Sequence, residues 1–115
     1  MHKHTISFVN AIRGIWTATI TQANIRIHLI AASLVLFLSV YLHISLDQII
    51  DLILVISMVI LAEMINTAIE FIADAITLEH NDYIKHAKDI SAGAVLISVI
   101  FAIVVGVIIF LPKLI

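Results

Sequence analysis

The chain has 115 residues, 63% of them hydrophobic and 12% charged, with a formal net charge of −2 and no cysteine. A mean hydropathy of +1.20 excludes an ordinary soluble globule and points to an integral membrane protein. Lack of cysteine removes disulfide and thiolate chemistry, and a single domain this small favours oligomerisation if it is to enclose a large polar site.

No Asp or Glu precedes Asp47, whereas Lys3, Arg13 and Arg26 do, so the amino-terminal segment is purely basic and suits an anionic membrane surface. Residues 5–26 read as an amphipathic surface helix. Ile6, Val9, Ile12, Trp16, Ile20, Ala23 and Ile27 recur at steps of three and four, with Asn10, Arg13, Thr17, Thr21 and Asn24 opposite. Trp16 reads as an interfacial anchor. No cleavable signal peptide is expected, because the first long apolar run starts near Ile27 without a cleavage-type boundary after it.

Residues 28–45 form the first predicted span, uncharged and only just long enough. Ser45-Leu46-Asp47 reads as a turn and helix cap. A second helix covers 47–76: its first half is apolar, and its second half carries Glu63, Asn66, Glu70 and Asp74. At offsets of 0, 3, 7 and 11, about 100° per residue keeps these four on one stripe about 16 Å long. Residues 77–89 hold the strongly polar segment, a short loop and the start of another helix, and 90–111 form the third span. Ser91, Ala92, Gly93, Ala94 and Ser98 favour close helix contact there, and Pro112 and Lys113 are expected to end it. Lys3, Arg13, Arg26, Lys85 and Lys88 fall on one side of three spans and Lys113 on the other, which predicts a cytoplasmic amino terminus and a cytoplasmic 77–89 segment.

Three carboxylates and an amide on one face of a membrane helix are costly unless they face protein, water or a ligand. With Lys88 and Asp89 beside them, they suggest magnesium held between carboxylates and nucleotide phosphates, with a lysine neutralising phosphate charge. Glu63 lies about 10 Å deeper than Glu70, where it suits a general base acting on a lipid hydroxyl. The plainer alternative is that these acids pair with Lys88 or backbone inside an oligomer. Asn66 taken alone reads more as glue between helices than as a ligand. The histidines do not read as a transition-metal site: His2 and His4 lie in the amino-terminal tail, and His80 and His86 are off a shared helical face. No G-x-x-x-x-G-K loop occurs, so a nucleotide would not be held by a P-loop or by soluble protein-kinase machinery.

Glu63-Met64-Ile65-Asn66-Thr67-Ala68-Ile69-Glu70, then Asp74, then Ala87-Lys88-Asp89-Ile90-Ser91-Ala92-Gly93-Ala94-Val95-Leu96 resembles the small prokaryotic diacylglycerol kinase and undecaprenol kinase family over nearly the whole chain. Arg26-Ile27-His28 and Ala92-Gly93-Ala94-Val95 look more like the Gram-positive undecaprenol kinase branch. The resemblance implies an all-α membrane protein, a surface helix plus three transmembrane helices, assembled as a homotrimer with active sites between subunits at the cytoplasmic face of the bacterial inner membrane. It implies transfer of the γ-phosphoryl group of Mg-ATP to a lipid alcohol, undecaprenol or else diacylglycerol. Glu63 would be the catalytic base and Glu70 a Mg²⁺ ligand. Asn66, Asp74, Lys88 and Asp89 would shape the ATP site, with Glu79, His80 and Asn81 along it. Small residues near Ala92 would border the lipid. One departure stands out: the family's metal-holding glutamate on the surface helix is Gln22 here, a carbonyl without charge. The family's histidine at position 81 is replaced by Asn81.

Two further classes stay open on the residues: an oligomeric ion or proton pathway lined by the stripe, and a catalytically silent homologue, motivated by Gln22. Lys88-Asp89 beside the stripe favours the kinase, since a permeation path has little need of a phosphate-sized cationic site.

Overall fold

The computed structural model describes residues 2–115, with side chains from Ser7 onward, as four helices: α1 (His2–Thr21), α2 (Ala23–Tyr41), α3 (Leu46–Ile76) and α4 (Asp82–Leu114). The last three are long and apolar enough to cross a membrane. At about 1.5 Å per residue α3 and α4 reach about 45–50 Å, well beyond a hydrocarbon layer of about 30 Å. The surplus length lies in the polar end of α3 and the polar start of α4, which meet through Asp74 and Lys88.

The helix boundaries differ from the sequence reading at both ends of α1, at the end of α2, which stops at Tyr41 and not 45, and at the end of α4. The surface helix does not run to residue 26: α1 stops at Thr21, Gln22 is extended (φ −117°, ψ 112°), and residues 23–26 already belong to α2. The break is held by Arg26, whose Nη1 donates to the carbonyls of Thr19 and Ile20 at 2.9 and 3.0 Å. A guanidinium there satisfies terminal carbonyls and complements the negative end of the α1 dipole. At the other end of the chain, Pro112 does not terminate α4, which continues to Leu114. A proline in the last turn removes one backbone donor and crowds the carbonyl four residues before it, a disturbance confined to the helix end.

The turn between α2 and α3 is tightly specified. His43 N–H donates to the Val40 carbonyl (3.2 Å) and Ile44 N–H to the Ser39 carbonyl (3.0 Å), with His43 at φ 57°. This is a Schellman closure with histidine where glycine is usual. Buried Ile44 then packs with Leu52 and Ile109, and Ser45 Oγ accepts from Gln48 N–H at 3.3 Å to cap α3. Because His43 is exposed and the left-handed conformation costs a residue with a Cβ about 1–2 kcal/mol, His43→Gly is expected to stabilise the fold. After the extra freedom that glycine gives the unfolded chain, the gain is about 0.5–1 kcal/mol. A denaturant titration in detergent micelles checks this.

α3 and α4 form the most extensive packing in the chain, with α2 against α3 and α1 against α2 more lightly. The molecule is a slab, 51 × 41 × 20 Å. Its radius of gyration of 17.2 Å exceeds the roughly 13 Å of a compact domain this size. Few apolar side chains are buried, and Leu54, Met58, Leu61, Ile65, Phe71 and Ile72 on α3 are exposed. Buried hydroxyls in the apolar layer bond to their own helices: Ser39 to the Leu36 carbonyl at 2.6 Å and Ser98 to the Val95 carbonyl at 2.7 Å. That satisfies each donor where no water is available. On α1 the apolar residues Val9, Ile12, Trp16 and Ile20 are exposed. Its Asn10, Arg13 and Thr17 instead line a hollow against Met64, Thr67 and Phe71 of α3.

Candidate active site

The acidic stripe of α3 meets α2 at Glu63 and α4 at Asn66 and Asp74, and burial falls along it. Glu63 is 2% exposed and Asn66 is buried, Glu70 is half-buried, and Asp74 is exposed. A polar column thus runs from the apolar layer to the aqueous end of the helix pair.

Each member has a distinct partner. Thr67 Oγ1 donates to the Glu63 backbone carbonyl at 2.9 Å, while the Glu63 carboxylate faces His28 of α2, with Nε2 3.9 Å from Oε2. Asn66 is oriented from both sides: its Oδ1 accepts from Ser91 Oγ of α4 at 2.6 Å, and its Nδ2 donates to Glu70 Oε1 at 3.3 Å. Asn66 is therefore glue between helices and, through the same amide, the group that orients Glu70. Lys88 of α4 reaches across to Asp74, Nζ to Oδ1 at 2.7 Å. Asp89 does not join that pair; its Oδ2 accepts from Lys85 Nζ at 2.7 Å, one turn back on the same helix.

At the aqueous end, Asp74, Glu79, His80, Asn81, Lys85, Lys88 and Asp89 line an open groove of about 260 Å³. All six candidate nucleotide residues from position 74 onward are thus gathered in one place, together with Lys85. Two have structural duties as well. Asn81 Oδ1 accepts from the backbone N–H of Tyr83 and Ile84 (2.9 and 3.2 Å), capping α4, and His80 Nε2 lies 2.8 Å from Asp82 Oδ1.

A second groove, apolar and about 440 Å³ in volume, runs between α2, α3 and α4 past Val35, Leu52, Val59 and Ile103. His28, whose Nε2 lies 3.9 Å from Glu63 Oε2, is the ionisable side chain among its described lining residues. Ala92, the candidate lipid border, is exposed and does not line this groove. Gln22 sits half-buried at the α1–α2 elbow, with no hydrogen bond to Glu70 among the described residues.

His28, Ser91 and Lys85 are the residues that the sequence did not single out for these roles. His28 stood in the quoted Arg-Ile-His motif and Ser91 among the small residues of α4, so each carried a signal of position without one of role. Among the described residues no three His, Asp or Glu side chains lie close enough to cage a metal. One half-buried carboxylate, Glu70, a turn from the polar groove, nevertheless suits magnesium, which commonly takes one or two protein carboxylates and fills its octahedron with water and phosphate oxygens.

A family model described as prokaryotic diacylglycerol kinase matches residues 9–110. The chain is 40% identical over 108 residues to the undecaprenol kinase of Bacillus subtilis (strain 168), covering 94% of this chain and 88% of that protein. It is 36% identical over 110 residues to a diacylglycerol kinase of Synechocystis sp., covering 95% of this chain and 63% of that longer protein. To the diacylglycerol kinase of Escherichia coli (strain K12) it is 30% identical over 92 residues, covering 80% of this chain and 75% of that protein. The polar column, the two grooves and this likeness along almost the whole chain lead to one conclusion: the chain belongs to the prokaryotic diacylglycerol kinase family.

Proposed function

We propose that this lipid kinase transfers the γ-phosphoryl group of ATP to the hydroxyl of undecaprenol at the cytoplasmic face of the bacterial inner membrane, working as a homotrimer with magnesium. The observation that carries the reading is the polar column of α3, which starts at buried Glu63 near an apolar groove and ends at Asp74 and Lys88 in a polar one. An acceptor with a long apolar chain and one hydroxyl fits the first end. A nucleotide triphosphate fits the second. Phosphoryl transfer needs mainly positioning and charge neutralisation, which so small a scaffold supplies.

In this mechanism Glu63 takes the proton of the lipid hydroxyl as its oxygen attacks the γ-phosphorus. Lys88 leaves Asp74 to meet the phosphates, and Asn66 holds Glu70 in place for the metal. Bound Mg²⁺ would neutralise phosphate charge. Glu79, His80, Asn81 and Asp89 border the nucleotide, and Ala92 borders the lipid from a neighbouring subunit. The exposed apolar face of α3 and the extended shape of the single chain support assembly, since a lone protomer buries little. The outward apolar face of α1 supports its lying in the membrane surface.

The acceptor is tested by supplying labelled ATP with undecaprenol and diacylglycerol in parallel. Preferential labelling of undecaprenol is expected, as the 40% identity to the Bacillus enzyme supports. Preferential labelling of diacylglycerol would replace the acceptor. ATP-independent proton flux in liposomes, with neither lipid labelled, would overturn the kinase reading itself.

Position 22 has its own expected outcome. Gln22→Glu adds a carboxylate at the elbow, and lipid phosphorylation is expected to reach half-maximum at about tenfold lower magnesium, equivalent to about 1.4 kcal/mol. Repulsion from Glu70 and desolvation hold the gain to that size. An unchanged midpoint in a well-folded variant means that position 22 does not reach the metal.

A further inference from the structure

We infer that His28 is a positioning residue for the base: it receives the proton that Glu63 removes from the acceptor hydroxyl and passes it to water. The inference rests on the reading of Glu63 as the base and goes beyond it. Glu63 is 2% exposed, and its carboxylate makes no hydrogen bond among the described residues. A carboxyl group so enclosed can take a proton once. To act again it must lose that proton, and bulk water barely reaches it.

His28 supplies the outlet. Its Nε2 lies 3.9 Å from Glu63 Oε2, and it is the ionisable group within ion-pair distance of Glu63 among the described residues. Its side chain is 24% exposed against 3% for Glu63, and it stands five residues, about 7–8 Å, from the start of α2 at the α1–α2 elbow, so one ring meets both the enclosed carboxyl and the end of the helix that water reaches. The gap exceeds a direct hydrogen bond, and a side-chain rotation that brings it to about 2.8 Å, or one bridging water, closes it. Imidazole suits the task because its two nitrogens allow a proton to enter at one and leave from the other near neutral pH.

The step balances. The acceptor O–H bond breaks as its oxygen bonds to the γ-phosphorus, and the bond from that phosphorus to the bridging oxygen breaks with its electron pair leaving on ADP. The proton forms Oε2–H on Glu63. That bond then breaks as Nε2–H forms on His28, and the imidazolium releases the proton at Nδ1 to water, restoring neutral His28 and ionised Glu63.

The test uses the full chain in detergent–lipid micelles with Mg-ATP and the lipid alcohol, comparing wild type, His28→Ala, His28→Asn and Glu63→Gln. His28→Ala is expected to lower kcat at least tenfold, with the KM values for ATP and lipid within about twofold of wild type. Added imidazole is expected to restore part of the lost kcat to His28→Ala and none to Glu63→Gln. A role confined to packing would not respond to imidazole. If His28→Ala does not fold, His28→Asn carries the test through the same kcat and KM comparison. The inference is overturned if whichever variant folds keeps more than half of wild-type kcat, if only KM changes, or if imidazole fails to rescue folded His28→Ala. Substantial activity in Glu63→Gln removes the base reading itself. An inactive Glu63→Gln beside a fully active His28 variant removes only the inference drawn here.

Discussion

Glu63→Gln is expected to lower turnover by about 10²–10⁴-fold at saturating Mg-ATP and lipid, the range that a positioned general base contributes. Glutamine keeps the volume and a hydrogen-bonding oxygen but takes no proton. Glu63 uses its backbone carbonyl, not its carboxylate, to accept from Thr67, so the substitution leaves the local α3 bonding intact. It also replaces an enclosed carboxylate with a neutral amide, which removes a desolvation cost instead of adding one. Stability is therefore expected to stay level or rise while turnover collapses, and nucleotide affinity, set about 16 Å away at Asp74 and beyond, is expected to change little. Steady-state kinetics beside a denaturation curve separate these effects. More than half of wild-type turnover in purified Glu63→Gln would remove Glu63 from the base role.

Lys88→Ala is expected to weaken ATP binding by about 10–100-fold, the equivalent of the roughly 1.5–3 kcal/mol carried by a hydrogen bond to a charged group. ADP is expected to lose less, because a cation placed near the terminal phosphate loses most when that phosphate is present. Geometry makes Lys88 the adjustable member of the site: it already spans from α4 to Asp74 of α3 at 2.7 Å, and its side chain is 39% exposed. Exchanging one carboxylate oxygen for phosphate oxygens is a short movement. Lys85 lines the same open groove and is itself exposed to solvent. Its ammonium is engaged by Asp89 in a solvent-screened, exposed pair that contributes little. Lys85→Ala is therefore expected to alter ATP affinity by less than about fivefold. Titrating both nucleotides against both variants decides the matter; equal losses for the two lysines would mean that the phosphates lie between them.

The amino-acid sequence determined those features that depend on composition and on the repeat of a helix. Three apolar runs of sufficient length make three candidate spans wherever they pack, because backbone polar groups in an apolar layer must be satisfied within the helix. Glu63, Asn66, Glu70 and Asp74 share a face of α3 because helical geometry puts offsets of 0, 3, 7 and 11 together without reference to any neighbour. Tertiary structure decided who meets whom. Lys85 and Lys88 are three residues apart, yet one binds a turn ahead along its own helix and the other crosses to Asp74. Ser91 is one more small residue in the sequence until the close approach of α4 sets its hydroxyl against Asn66. His28, 35 positions before Glu63 in the chain, becomes its neighbour because the α2–α3 turn closed at His43 folds one helix back on the other. The break at Gln22 follows from Arg26 turning back onto α1. Each of these depends on how one helix is rotated and shifted against another, and that is set by contacts distant in sequence, which no local periodicity encodes.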